Sequence, residues 1–289
     1  MTGNERKPAT VGEARAFGRK LLCRAGISSY AYDTDEILAD TEGIERMELF
    51  LHGRDPLAHA EIFCSRIRRR VSREPLQHIL GKCDFFGRTF LVTRDVLTPR
   101  FDTESLVEAI LADSRLAAQP EILDLCTGSG CILLTILSEI PEAFGTGTDL
   151  SEAALALARK NAERLALSAE FFAGDLFFAL PDGKMFDLIV SNPPYIKSAE
   201  IDRLEPEVSR FEPRMALDGG ADGLDFYRKI IRQAPEYLVP GGLLYFEIGY
   251  DEADAVAGLM KSDGFSDVTV RQDLSGRDRV VSGMKGERS

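Results

Sequence analysis

The residues with the clearest chemical potential are Asn192-Pro193-Pro194-Tyr195, which follow a short apolar run from Leu188 to Val190. Such a run predicts a buried strand, and two prolines must end it because they lack the N–H that a central strand needs. The loop then presents an amide oxygen beside a backbone carbonyl, which together can accept both hydrogens of an NH2 group, and a ring that can stack on a planar substrate. The pattern therefore predicts a seat for a planar amino or amide group, with a plain loop terminator as the alternative interpretation.

A glycine-containing turn, Cys126-Thr127-Gly128-Ser129-Gly130, follows a second apolar run, Glu121–Leu125, and leads into a predicted helix, Cys131–Glu139. Glycines let a ligand approach the backbone, and the N-terminus of the following helix favours negative charge. Asp149 follows about 20 residues later, at the end of the next predicted strand, where a carboxylate can bind ribose hydroxyls. NAD sites share this pattern, but they have a third glycine at the position that Leu133 occupies in this chain. The absence of that glycine favours a ligand without a pyrophosphate, such as S-adenosylmethionine.

Both motifs belong at the carboxyl ends of parallel strands, where ligands bind in open α/β sheets. Strands and helices alternate from Pro120 onward, which predicts a mostly parallel sheet with helices on both faces. Ser151 is the predicted cap of a helix over 152–165, and strands near 268–271 and 279–282 are predicted to form an antiparallel pair at the sheet edge. Together the glycine turn, the ribose carboxylate and the amide-accepting loop predict a methyltransferase that acts on an amino group.

The region before this sheet carries no strand pattern at first and is predicted to be a helical domain over residues 1–80. Four helices are predicted in it. Three of them cover residues 10–27, 45–53 and 57–72, and the other carries Ile37 and Leu38 and has Asp33 or Thr34 as its predicted cap. A hairpin is predicted around Gly87-Arg88 within a linker over 81–97, and the methyltransferase domain is predicted over 98–289. Asp102 or Thr103 is the predicted cap of the helix that begins at Glu104.

Length and composition limit the possible classes of protein. The 289 residues suit one large domain or two smaller ones, and no apolar run reaches the length of about 18 residues that a transmembrane helix needs. The polar start, Met1 to Lys7, predicts no signal peptide. Five cysteines without a CxxC pair predict neither a disulfide framework nor a metal site, so we expect a cytoplasmic protein.

The net charge of −12 is unevenly distributed along the chain. Residues 1–100 carry 17 Lys and Arg against 14 Asp and Glu, whereas residues 101–289 carry 18 against 33. Because nucleic-acid binding depends on neutralising phosphates, the acidic part argues against stable nucleic-acid binding. One basic cluster, formed by Arg66, Arg68, Arg69, Arg70 and Arg73, is predicted to be a solvated surface, with contact to an acidic or RNA-bearing partner as the alternative.

Over almost its whole length the chain resembles the HemK/PrmC family, the protein-(glutamine-N5) methyltransferases that modify the Gly-Gly-Gln glutamine of class I peptide release factors. Asn-Pro-Pro-Tyr is shared with DNA adenine methyltransferases, so more restricted blocks carry the resemblance. The matching stretches are Arg73-Glu74-Pro75-Leu76-Gln77-His78-Ile79-Leu80-Gly81, Leu97-Thr98-Pro99-Arg100-Phe101-Asp102-Thr103-Glu104, Asp124 to Gly130, Ser191 to Ile196, Phe211-Glu212-Pro213-Arg214-Met215-Ala216-Leu217-Asp218-Gly219-Gly220-Ala221-Asp222-Gly223-Leu224, and Pro240-Gly241-Gly242.

The resemblance implies a helical bundle joined by a β-hairpin to a Rossmann-like, seven-stranded, S-adenosylmethionine-dependent methyltransferase domain. It implies that the helical domain docks the release factor and that the enzyme tunes translation termination. We expect no metal, because the sulfonium is already activated, and we expect a monomer. The residues it implies for the cofactor are Cys126, Thr127, Gly128, Ser129, Gly130, Asp149, Asp175, Leu176, Phe177 and Asn192. Those it implies for the glutamine are Asn192, Pro193, Pro194 and Tyr195, which would also be catalytic, with Arg100 and Phe101.

Two positions depart from the family pattern. Cys126 stands where the first glycine is usual, so we expect the backbone there not to need a positive φ. Leu176 stands where a tryptophan often lines the adenine pocket, and Phe177 follows it. Either side chain could pack on the adenine, and we expect a lower affinity for the cofactor than is usual in the family.

Three alternatives share part of this pattern. A ribosomal-protein glutamine methyltransferase is the nearest, although Asp102-Thr103-Glu104 after Pro99-Arg100 favours the release-factor branch. A DNA or RNA base methyltransferase would use the same loop for an exocyclic amine, but it should extrude the base and grip phosphates, which the acidic second part disfavours. A cofactor-binding scaffold without activity would not need the Asn192 to Tyr195 loop.

Overall fold

A computed structural model describes residues 7–286 of the chain. The expectation that the chain has no signal peptide depends on residues 1–7, and only Lys7 of these lies within the described range. Its helices are α1 (Val11–Arg24), α2 (Tyr30–Glu42), α3 (Ala60–Val71), α4 (Leu76–Leu80), α5 (Glu104–Leu111), α6 (Cys131–Glu139), α7 (Glu152–Leu165), α8 (Pro206–Ser209), α9 (Asp225–Tyr237) and α10 (Ala253–Ser262). Its strands are β1 (Lys82–Phe85), β2 (Arg88–Leu91), β3 (Glu121–Leu125), β4 (Phe144–Asp149), β5 (Glu170–Ala173), β6 (Phe186–Ser191), β7 (Leu238–Glu247), β8 (Phe265–Gln272) and β9 (Asp278–Lys285).

The contacts divide the chain into two compact units. The first consists of the residues up to Gly81 together with Glu205–Phe211, and the second consists of Lys82–Leu204 and the residues from Glu212 onward. Glu205–Phe211 falls within the range predicted for the methyltransferase domain, but the contacts place this segment in the helical unit.

The first unit is built from helices around one apolar core, in which Leu22, Ile37 and Phe63 are fully buried. Helix α1 begins after Thr10, whose side chain accepts a hydrogen bond from the N–H of Glu13. Helix α2 begins at Tyr30, so the predicted cap at Asp33 or Thr34 is wrong. The expected helix over 45–53 is a short 3-10 helix, Arg46–Phe50.

Four of the five arginines of the basic cluster, all except Arg68, form ion pairs with carboxylates inside this unit. Arg70 is buried, and it donates to Asp33 Oδ2 over 2.6 Å and to Glu207 Oε1 over 2.8 Å. Arg73 binds Glu207 as well, and Arg66 binds Asp40. The predicted solvated surface is therefore wrong for Arg70, because carboxylates distant in sequence come within reach of its guanidinium group.

The second unit contains a seven-stranded sheet in the order β5-β4-β3-β6-β7-β9-β8. The first five strands are parallel, whereas β9 and β8 are antiparallel and form one edge. Apolar residues of α5, α6 and α7 pack on one face of the sheet, and those of α9 and α10 pack on the other. This arrangement confirms the predicted fold class and the antiparallel edge pair.

A two-stranded hairpin, β1 with β2, precedes the sheet as predicted. Its turn has Phe86 and Gly87 at φ of 49° and 72°, the conformation that lets a two-residue turn match the strand twist. The buried side chain of Asn161 accepts from the N–H of Leu91 and donates to the carbonyl groups of Leu91 and Ser129. One amide on α7 thus ties the hairpin to the glycine-containing turn.

Candidate active site

Two loops leave the sheet side by side. Leu125, the last residue of β3, pairs with Ser191, the last residue of β6. The hydroxyl of Ser191 donates to the carbonyl oxygen of Leu125 over 2.7 Å. The glycine-containing turn that begins at Cys126 and the loop that begins at Asn192 therefore start from adjacent points of the same sheet edge, where ligands bind in open α/β folds.

The glycine-containing turn has three residues in the left-handed region, Cys126, Gly128 and Gly130, at φ of 59°, 56° and 78°. The expectation that Cys126 avoids a positive φ is wrong. A side chain at this φ costs of order 1 kcal/mol, and the surrounding contacts maintain the conformation: the next residue, Thr127, donates its N–H to Thr148 and its hydroxyl to the buried Asp124. These two bonds fix the turn between β3 and β4.

Asp149 lies at the end of β4, facing the turn. Its Oδ2 accepts the N–H of Gly128 and its Oδ1 accepts the N–H of Ser151, each over 2.9 Å. Burial raises the pKa of Asp149, and these backbone N–H groups oppose the rise. Each carboxylate oxygen has a second lone pair, so the group can also accept hydrogen bonds from ligand hydroxyls.

A cavity of about 390 Å³ lies over these strand ends, within the size range of small-molecule sites. Its walls contain four carboxylates, Asp95, Asp149, Asp175 and Asp218, but only two basic groups, Arg100 and Lys229. A pyrophosphate would meet this excess of negative charge, whereas a cationic ligand would be attracted. The cavity therefore suits a sulfonium compound better than a dinucleotide.

Two buried hydroxyl groups lie behind the cavity wall. Ser129 Oγ and Thr148 Oγ1 are buried and have no hydrogen-bond partner within residues 7–286. Thr148 is fully buried and Ser129 almost fully buried, so neither hydroxyl oxygen is exposed to the cavity. Apolar surface comes from Val96, Ile132 and Leu176, which gives the cavity the mixed lining that a purine nucleoside needs.

Leu176 and Phe177 differ in their relation to this cavity. Leu176 lines the cavity at a φ of 51°. Phe177 is buried in the core below the sheet and stacks on Tyr237, with 4.5 Å between the ring centroids. Of the two, only Leu176 can contact a ligand in the cavity, so sequence adjacency did not distinguish a wall residue from a core residue.

The amide of Asn192 forms part of the cavity wall together with Pro194. No described residue makes a hydrogen bond to the Asn192 side chain, and none donates to the carbonyl of Pro193. Tyr195 and Pro193 do not line the cavity. The Tyr195 ring packs against the core, and its hydroxyl donates to Glu247 Oε1 over 3.3 Å.

Arg100 lies on another part of the wall and is paired with Glu212. One guanidinium nitrogen contacts both carboxylate oxygens, at 2.7 and 2.8 Å. Burial raises the pKa of Glu212, and the guanidinium group opposes the rise. Phe101 is two-thirds exposed and does not line the cavity, nor does Gly130, whose missing side chain instead allows α6 to approach α7.

Several cavity residues were not assigned a role from the sequence. They come from the segment around Arg100, from the segment after Glu212 and from α9, and they include Asp95, Thr98, Thr103, Met215, Asp218, Phe226 and Lys229. The first two segments overlap the restricted blocks of the family resemblance, which was a usable signal. Lys229 and Phe226 carried no such signal, since they lie on an ordinary amphipathic helix.

Neither a metal site nor a membrane-spanning helix is found among the described residues. Between residues 7 and 286, no three His, Cys, Asp or Glu side chains are grouped as metal ligands would be. No helix in that range combines the length and apolar content that crossing a membrane requires.

Comparison with known proteins places both parts of the chain. Residues 13–81 match a family model described as the PrmC N-terminal domain, and residues 100–205 match one described as the Methyltransferase small domain. A release factor glutamine methyltransferase of Geobacter sulfurreducens is 44% identical over 279 residues, covering 96% of this chain and 97% of that protein. One of Cereibacter sphaeroides is 47% identical over 265 residues, covering 90% and 93%. The crystal structure of a methyltransferase from Pyrococcus furiosus has the same fold, with a TM-score of 0.53 and 17% identity over 77% of this chain and 98% of that one.

Proposed function

The chain belongs to the release factor glutamine methyltransferase family, and we propose that it transfers a methyl group from S-adenosylmethionine to the side-chain amide of the Gly-Gly-Gln glutamine in class I release factors. The observation that carries the proposal is the unpartnered amide of Asn192 on the wall of an acidic cavity. The same cavity contains the carboxylate of Asp149 and the glycine-containing turn. One site thus offers an acceptor for an NH2 group next to a place for a nucleoside cation.

The cofactor position follows from the donors and acceptors on the wall. The Asp149 carboxylate would accept the ribose hydroxyls, with the backbone N–H groups of Gly128 and Ser151 holding it in place. Leu176 and Ile132 would cover the adenine. When bound, S-adenosylmethionine supplies a methyl group on a sulfonium sulfur, which is an electrophile that needs no metal.

The chain's own residues would act on the glutamine. An amide nitrogen is a poor nucleophile because its lone pair is delocalised into the carbonyl. Asn192 Oδ1 and the backbone carbonyl of Pro193 would each accept one N–H of the substrate, which localises electron density on the nitrogen and directs it toward the methyl group. The two prolines hold these acceptors in a rigid loop. The gain comes from positioning and electrostatics, and the methylated nitrogen then loses one proton.

The deciding experiment uses S-adenosylmethionine labelled in its methyl group, the purified protein and a class I release factor. We expect label on the factor and none on a control factor whose Gly-Gly-Gln glutamine is changed to alanine. Label on both would move the reaction to another residue. Label on ribosomal protein or nucleic acid instead of the factor would keep the cofactor but replace the substrate.

We also propose that the helical unit is the module that docks the release factor. Its 3-10 helix exposes Met47 and Phe50 at 80% and 70%, and the next residue, Leu51, is 82% exposed. Arg15 lies over the Phe50 ring at 4.1 Å. Leu51→Glu should raise KM for the whole factor at least about tenfold, in the range of a hot-spot loss. Its activity on a short Gly-Gly-Gln peptide should stay unchanged, and an unchanged KM for the factor would contradict the docking role.

A further inference from the structure

The loop that carries Asn192 is connected to a buried carboxylate on the neighbouring strand. Ser191 pairs with Phe246, so Glu247 is the next residue of β7 beyond the point where the loop begins. The Glu247 side chain is buried, and its Oε1 accepts the hydroxyl of Tyr195, the last residue of the loop. The other oxygen, Oε2, has no hydrogen-bond partner among the described residues.

Glu247 is itself held firmly. Its backbone carbonyl accepts the hydroxyl of the buried Tyr227 over 2.9 Å. The next residue, Ile248, exchanges two hydrogen bonds with Arg279, one to the Arg279 carbonyl and one from its guanidinium group. Asp273 fixes that guanidinium group in turn. The acceptor for Tyr195 therefore lies on a rigid strand end.

The charges around Glu247 make the Tyr195 hydroxyl an important donor. Burial raises the pKa of Glu247, while Thr103, Arg279 and Tyr195 oppose the rise. Burial also raises the pKa of Tyr195, and the negative charge of Glu247 adds to it, so the phenol keeps its proton and donates.

We propose that Glu247 is a positioning residue for this methyltransferase, which anchors the far end of the Asn192 to Tyr195 loop through the Tyr195 hydroxyl and so fixes the amide-accepting groups. The role in turnover rests on the proposed function. The anchoring itself is a property of the free protein and can be measured without cofactor or substrate. Tyr195 then acts through its hydroxyl from behind the cavity. The sequence had instead predicted that its ring stacks on the substrate.

The test compares Tyr195→Phe, Glu247→Leu, Glu247→Gln and the double variant Tyr195→Phe/Glu247→Leu with the original protein. Tyr245→Phe is the matched control. Tyr245 lies on the same strand as Glu247 and also donates its hydroxyl to a carboxylate, that of Asp113, but Asp113 does not line the cavity. Amide hydrogen exchange of the peptide that spans 191–197 reports on the loop. Turnover of release factor and affinity for S-adenosylmethionine are measured in parallel.

We expect faster exchange in the loop for Tyr195→Phe and Glu247→Leu but not for Tyr245→Phe. Turnover should fall by about 100-fold, the effect of a misplacement near 1 Å, with little change in KM or cofactor affinity. Glu247→Gln keeps an acceptor oxygen and should retain most of the turnover, and the double variant should be no worse than either single one.

Unchanged loop exchange in Tyr195→Phe would overturn the anchoring role, and this result does not depend on which substrate the protein methylates. Full turnover in Tyr195→Phe would also overturn it, and loss of turnover in a further variant, Tyr195→Ala, would then favour ring stacking. If the original protein failed to label release factor while the exchange results held, the proposed function would fail and the anchor would stand.

Discussion

The amide of Asn192 is the group on which the proposed chemistry depends most directly. It lies on the cavity wall, and no described residue uses its oxygen or nitrogen. Its place in the chain, directly after a strand and before two prolines, was visible in the sequence. Its freedom from internal hydrogen bonds was not, because a local pattern does not reveal whether a distant side chain satisfies an amide.

Asn192→Ala should lower kcat by more than about a hundredfold, as expected for the loss of one oriented polar group. Affinity for S-adenosylmethionine, measured by calorimetry, should change little. Asn192→Asp keeps acceptor oxygens and should retain more activity than the alanine variant. Turnover near the original value in Asn192→Ala would contradict the mechanism.

Asp149→Ala should weaken S-adenosylmethionine binding by about tenfold to a hundredfold. The physical reason is the loss of a charged acceptor worth about 1.5–3 kcal/mol. The backbone N–H groups of Gly128 and Ser151 would also lose their hydrogen-bond acceptor. Asp187→Ala is the control, because Asp187 also accepts a backbone N–H but lies at the start of β6, the opposite end of that strand from the site. Equal affinity in both variants would refute the ribose assignment.

At the scale of elements, the segment after Glu212 holds the Asn192 loop from outside. Ile196 donates its N–H to Leu217 and accepts that of Gly219, each over 2.9 Å. A Cβ atom at Gly219 would lie 2.7 Å from the Cα of Tyr195 and 2.8 Å from the carbonyl oxygen of Pro194. The two backbones approach this closely because residue 219 has no side chain.

Gly219→Ala should therefore displace the loop and lower kcat about tenfold or more, with a lower midpoint of thermal unfolding. Gly258→Ala is the control, because Gly258 lies in α10 with nothing within 4 Å of an added Cβ. It should raise stability by roughly 0.5–1 kcal/mol, the difference between alanine and glycine in a helix. Equal kinetics in the two variants would show that the close approach is unimportant.

Element boundaries differed in how well the sequence predicted them. Helices α6 and α7 occupy the predicted residues, and Ser151 caps α7 through the N–H of Ala154. Their starts depend on a glycine or a serine at the helix end, which is local information. The start of α2 was missed because Asp33 resembles a cap in the sequence but serves as a buried partner for Arg70.

At the scale of the molecule, the distribution of charge predicts how stability responds to pH. Burial raises the pKa of Asp124 and of Glu252 to about 7 in the folded protein, above the values near 4 of an unfolded chain. A carboxylate with a raised folded-state pKa costs stability in full above that pKa, and the cost decreases as the pH falls from the folded-state pKa toward the unfolded-state value. The net charge of −12 acts in the same direction, since acidification reduces self-repulsion.

Lowering the pH from 8 to 6 should therefore raise the free energy of unfolding by about 1 kcal/mol for each of these two groups. Urea unfolding at several pH values between 6 and 8 measures the change. Glu252→Gln should remove the part of the pH dependence that is due to Glu252. A free energy of unfolding that does not change with pH would contradict the raised pKa values of Asp124 and Glu252. Burial raises the pKa of Asp35, but Arg15 and Arg19 outweigh it and lower that pKa, so its stabilising effect is lost only in more acidic solution.

The sequence by itself determined what local patterns can encode. It indicated the alternation of strands and helices, the glycine-containing turn, the end of β6 at two prolines and the family. It could not determine which distant residues meet, because such pairs result from the packing of whole elements. Arg100 with Glu212, Tyr195 with Glu247 and Arg70 with Glu207 are separated by 112, 52 and 137 positions.

Only the tertiary structure decided the conformation and partners of individual site residues. Cys126 takes a positive φ because contacts of the adjacent Thr127 fix the turn. Leu176 forms cavity wall while Phe177 enters the core, since a tight turn sends neighbouring side chains in different directions. Long-range packing, which no stretch of a few residues contains, determines these outcomes.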